Sequence, residues 1–126
     1  MKNDIEKNRY NPELFLAAWK NADKESSRAI VLGEIEFEGY EEKYEYMMGN
    51  FLQNISEIDK IVQQFCIESY QESGDDINNY ILDMSWVELQ DNKVCLGYWG
   101  RFVNIELRAN LIFHNEKWEM EEIYFQ

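Results

Sequence analysis

The apolar residues of this chain change their spacing once, near Asp83, and that change constrains the fold more than any other feature. Before it, Tyr40, Tyr44, Met47, Met48, Phe51, Leu52, Ile55, Ile58, Ile61, Val62, Phe65, Cys66 and Ser69 recur at three- and four-residue spacing, the repeat of one helix face. After it, Val103, Ile105, Leu107, Ala109, Leu111 and Phe113 alternate with Asn104, Glu106, Arg108 and Asn110, the repeat of a strand with one buried and one wet face. Helical segments followed by a run of strands predict an α+β fold. The expected order is an N-terminal helix and strand, a central helix pair, and a C-terminal four-stranded antiparallel meander. At 126 residues the chain has the length of one domain, spanning residues 1–126.

Local signals refine the outline. Asn11-Pro12-Glu13 reads as a helix start, with the helix running to about Lys20 and burying Leu14, Phe15, Ala18 and Trp19. Ala29 to Phe37 reads as one strand ended by Gly39, with Ile35 and Phe37 opposite Glu34, Glu36 and Glu38. The helix pair is expected at about 40–53 and 57–72, with Ser56 as the second N-cap, the alternative being one kinked helix. Strands are expected at Trp86–Leu89, Val94–Trp99, Val103–Phe113 and Trp118–Phe125, with turns at Asp91-Asn92, Gly100-Arg101 and Asn115-Glu116. The alternation changes phase at Glu121-Glu122, which predicts a bulge or a change of strand partner. Cys66 and Cys95, flanked by apolar residues, are expected as free core thiols.

Charge narrows the function. The chain carries −13. Between Glu34 and Asn92 fifteen acids face two bases, Lys43 and Lys60, so the whole net charge belongs to this middle segment. Such a chain lacks the basic groups that displace counterions from nucleic acid or hold a protein on anionic lipid. A basic protein is the expected partner, with no direct nucleic acid and no membrane. The candidate contact residues are Glu41, Glu42, Glu45, Glu57, Asp75 and Asp76, with Tyr46, which lies off the apolar stripe.

Signals for catalysis are absent. His114 is the single imidazole, the cysteines are not spaced as metal ligands, and no glycine-rich phosphate loop occurs. The expectation is a non-enzyme with no catalytic residues, no metal and no cofactor. Met1 to Tyr10 has no apolar core of a signal peptide, and no apolar run approaches about 20 residues, so the expected location is the cytoplasm.

Trp86-Val87-Glu88-Leu89, Asp91 to Gly100, Val103-Asn104-Ile105-Glu106-Leu107 and the closing Trp118 resemble the meander of small immunity proteins of bacterial polymorphic-toxin and contact-dependent growth inhibition systems. The likeness covers about forty residues. It implies a cytosolic inhibitor that binds one cognate toxin domain, commonly a basic nuclease, and it transfers no individual residues. Two alternatives stand beside it. One is a small enzyme or ligand-binding domain with a pocket between helix and sheet, lined by Trp19, Trp99 and Trp118. The other is a nucleic-acid mimic.

Overall fold

A computed structural model describes residues 9–25 and 29–126. Helix α1 (Pro12–Lys20) starts where Asn11 Oδ1 accepts from the Glu13 and Leu14 amides. Its buried residue is Trp19. Phe15 and Leu16 are half-buried, whereas Leu14 and Ala18 face solvent, so the apolar stripe is narrower than predicted.

The expected single strand is a hairpin. Gly33, at φ +61°, turns the chain between β1 (Ile30–Leu32) and β2 (Ile35–Glu38). That left-handed backbone is cheap for glycine and strained for other residues. A 3-10 turn, Glu42–Tyr44, leads into α2 (Glu45–Gln53) and α3 (Ile55–Ser73). The break between them lies at Asn54, not Ser56. The Asn54 amide side chain turns back and donates to the Asn50 carbonyl at 2.8 Å, leaving α3 without a side-chain N-cap.

After the 3-10 turn Ile77–Tyr80 come β3 (Leu82–Gln90), β4 (Lys93–Gly100), β5 (Glu106–His114) and β6 (Lys117–Phe125). The α+β class and the antiparallel C-terminal meander are as the periodicity predicts. Val103 and Ile105 fall in the loop before β5, so that strand is shorter than predicted. The phase change at Glu121-Glu122 is a register shift opposite Asn110 and Leu111.

The six strands lie in sequence order, with β2 parallel to β3 and every other pair antiparallel. Strands β2 and β3 run parallel because the connection between them is long and helical, the geometry a parallel pair requires. One sheet face, with Phe37, Val87, Leu96, Tyr98, Leu107 and Leu111, is buried under Met48, Phe51, Leu52, Ile55, Ile58 and Val62 of α2 and α3. Aromatic contacts tie the layers: Phe51 meets Phe37 at 6.2 Å and Trp118 at 5.6 Å, and Phe65 meets Phe125 at 5.4 Å. Among the described residues no helix is long and apolar enough to cross a membrane.

Candidate functional site: an open acidic sheet face

Strand side chains line the sheet face turned away from α2 and α3. Register places Val31, Glu36, Trp86, Gly97, Arg108 and Tyr124 side by side across all six strands. The neighbouring row is Glu38, Glu88, Cys95, Asn110 and Glu122. At the centre the Trp86 ring lies flat over Gly97: a Cβ built there would sit 1.9 Å from Trp86 Cε2. Only glycine leaves room for that ring. The Arg108 guanidinium lies 5.3 Å from the Trp86 ring centroid, a cation–π distance. Its Nε is 3.5 Å from the Glu106 carboxylate but makes no hydrogen bond of good geometry.

Carboxylates rim this aromatic centre. Glu38 and Glu88 are direct register partners, with Glu36 two residues along β2 on the same face. Like charges placed opposite each other repel. Glu88 accepts from the Gln90 amide at 3.2 Å, and among the described residues no cation pairs with Glu36, Glu38 or Glu88. On the far flank Lys93 holds Glu121 at 2.9 Å.

The predicted contact residues divide. Glu41 and Glu42 come after Gly39 and Tyr40 beyond the end of β2 and sit at the sheet end that carries the Asp91-Asn92 turn, since the Tyr44 hydroxyl donates to Asp91 at 2.8 Å. Lys43 reaches Asp91 at 3.3 Å, and the bonds from Tyr44 and Lys43 hold the Asp91 carboxyl below its ordinary pKa. Tyr46 is at the same end, 61% exposed, its hydroxyl donating to Glu116 of the β5–β6 turn. Glu45 has a structural task. It accepts from the buried Trp19 indole at 2.8 Å and from the Tyr40 hydroxyl at 2.7 Å, with Lys24 at 3.9 Å. Desolvation works against its charge, but these partners prevail and lower its pKa.

Glu57, Asp75 and Asp76 do not join this group. Glu57 pairs with Lys60 on α3 at 3.2 Å. Asp76 accepts from the Asn78 amide, and Asp75 lies 3.4 Å from the Tyr80 hydroxyl. These two aspartates stand at the Leu82 end of β3, roughly 25 Å of strand from the Gln90 end. The residues that sequence reasoning missed are Trp86, Arg108, Tyr124, Glu36, Glu38 and Glu88. Their signal was the alternation of Trp86 and Glu88 with Val87 and Leu89, and of Glu36 and Glu38 with Ile35 and Phe37.

Cys66 is a core thiol, its pKa pushed up to about 12 by burial. Cys95 is not: it lies half-buried on the open face, opposite Glu88 and Asn110, because Val94 and Leu96 take the inward phase. The three tryptophans share no pocket. Trp19 bonds Glu45, Trp118 donates to Asn50 at 2.8 Å under the helices, and Trp99 is 43% exposed on the other sheet face. Among the described residues no cluster of three or more His, Cys, Asp or Glu could hold a metal ion.

A second polar constellation lies on the helix side. Asp59 of α3 is 2% exposed. The buried Tyr98 hydroxyl donates to its Oδ1 at 2.7 Å, and Arg9 reaches it through Nε at 3.1 Å and Nη2 at 3.2 Å. Arg9 Nη1 also bonds Asp83 Oδ1 at 2.9 Å, and Arg101 holds Asp83 through Nη2 at 2.7 Å. Burial raises the Tyr98 pKa well above its ordinary value, with Asp59 adding to it, so Tyr98 stays a neutral donor. The Tyr10 hydroxyl accepts the Met84 amide at 2.8 Å, covering a β3 edge that the short β2 does not reach.

The architecture defines an α+β domain with a one-sided helical cover. No family model, no curated protein and no solved structure matches the chain.

Proposed function

We propose that this chain is an immunity-type, protein-binding module that neutralises a cationic toxin domain through the open sheet face and its Glu41-Glu42 end. One observation carries the reading: Glu36, Glu38 and Glu88 stand together with no cation paired to them among the described residues, beside a half-buried aromatic centre of Trp86 and Tyr124. A fold tolerates such repulsion more easily when a partner offsets it. Large amphipathic rings inside a charged rim are the usual composition of a protein interface. Rim carboxylates steer a basic domain into encounter, and the rings then hold it after water is expelled.

The test uses the basic C-terminal domain of a toxin encoded beside this chain. Its association rate is measured against ionic strength with the wild type, with Glu36→Lys/Glu38→Lys/Glu88→Lys, and with Glu41→Lys/Glu42→Lys/Glu45→Lys. The first triple variant is expected to slow association at least tenfold at low salt and to flatten the salt dependence. The second is expected to slow it less, and part of its effect will be structural because Glu45 anchors Trp19. Rates and slopes equal to the wild type in both variants overturn the reading.

A further inference from the structure

We propose that Asp59, Asp83 and Tyr98 form a binding site selective for a guanidinium group, which this chain fills with its own Arg9. The elements that build the site and the group that fills it are separate. Asp59 comes from α3, Asp83 from β3 and Tyr98 from β4, whereas Arg9 stands before the Asn11 cap of α1. The site is graded from mouth to floor: the Asp83 side chain is 39% exposed, the Arg9 side chain 11%, and Asp59 2%.

Both carboxylates are oriented by groups other than Arg9. Tyr98 fixes Asp59 from within the core, and Arg101 fixes Asp83 through Nε at 3.2 Å and Nη2 at 2.7 Å. Asp59 thereby presents two oxygens to Nε and Nη2 of one planar fork, while Asp83 takes Nη1. The Tyr10 ring forms a wall 5.0 Å from the guanidinium carbon. A flat cation with three divergent N–H donors satisfies this arrangement, whereas a compact ammonium cannot reach both carboxylates in the same geometry. Without the guanidinium, Asp59 is a buried carboxylate left, among the described residues, with one phenolic donor and no counter-ion, so an external cation of the right shape is strongly drawn in.

This inference is independent of the proposed function, and either can fail alone. The experiment removes Arg9 and supplies the group in trans. Arg9→Ala is expected to lower the melting temperature by on the order of 10 °C. Millimolar ethylguanidinium chloride should then restore at least a third of that loss, with saturation. Equal concentrations of ethylammonium chloride or sodium chloride should not. The wild type, whose site is filled, should show no rise, and neither should Arg9→Ala/Asp59→Asn. If Arg9→Ala does not fold, the same comparison is read as refolding yield with each salt. Recovery that does not saturate, that ethylammonium matches, or that persists in the double variant overturns the proposal.

Discussion

On the helix side of the sheet a single carboxylate, Asp59, is buried at 2% exposure, and both its oxygens are engaged by Arg9 and Tyr98. On the open side three carboxylates, Glu36, Glu38 and Glu88, crowd one another with no cation paired to them among the described residues. The difference follows from the medium. An unmatched charge in the interior costs several kcal/mol, so each one is matched group by group. At the surface water screens the repulsion to a fraction of a kcal/mol per pair, so unmatched charge persists and remains available to a partner. The glycine–tryptophan stack shows the same division. Gly97 is buried by Trp86, yet that ring belongs to the open face and leaves the helix-side core untouched.

The sharpest way to break this contrast is Asp59→Asn. It removes the buried, two-bonded half of the Arg9 ion pairing, leaving Asp83 at the mouth, and is expected to cost about 3–5 kcal/mol in chemical denaturation. Tyr98→Phe keeps the ion pair and removes one charge-assisted bond, for about 1.5–3 kcal/mol. If Asp59→Asn costs no more than Tyr98→Phe, the helix side is not organised around matched charge.

Gly97→Ala drives a methyl into the Trp86 ring and is expected to cost about 1–3 kcal/mol. Trp86→Ala in the same chain should recover most of that loss, because the two changes act on one contact. Additive losses would mean that the cost of alanine lies in the backbone of β4 and not in the ring.

Neutralising the open face by Glu36→Gln/Glu38→Gln/Glu88→Gln should leave stability within about 0.5 kcal/mol, or raise it slightly. A loss above about 2 kcal/mol would place these carboxylates in the fold and not at a surface held for a partner.

Glu45 belongs to neither face and sharpens the comparison through pH. Its pKa is lowered in the fold, so its contribution is complete above the ordinary carboxylate value and fades as pH falls below about 4. Glu45→Gln should therefore flatten the acid limb of the stability curve, read as melting temperature between pH 3 and 6. The smallest effect is kinetic. Cys95, half-buried on the open face, should react with a thiol reagent before Cys66, whose thiol is buried and held protonated.

Much of the fold was legible. The helical stripe from Tyr44 to Cys66 and the alternation in β5 are periodic signals set by which side chains leave water, and the Asn11 cap is a local hydrogen bond. The turns Asp91-Asn92 and Asn115-Glu116 carry the positive φ values that hairpin turns favour. The candidate site was legible only in part. Charge counting along the chain grouped Glu41 and Glu42 with Glu57, Asp75 and Asp76, yet these lie at separate places in the molecule. The phase of Cys95 was misjudged because apolar neighbours on both sides of a residue in a strand mark the opposite face, not its own.

The sequence by itself determined the α+β class, the strand alternation, the net charge and its concentration in the middle of the chain. These depend on residue type and local spacing, which no folding step alters. Tertiary structure decided which charges meet. Only the parallel pairing of β2 with β3 sets Glu38 beside Glu88, and only the four-strand register aligns Trp86, Gly97, Arg108 and Tyr124. Arg9 and Asp59 are fifty positions apart, and nothing in the chain text couples them. Their pairing arises because a carboxylate carried into a dry core by α3 must find its counter-charge wherever the packed chain brings one within reach.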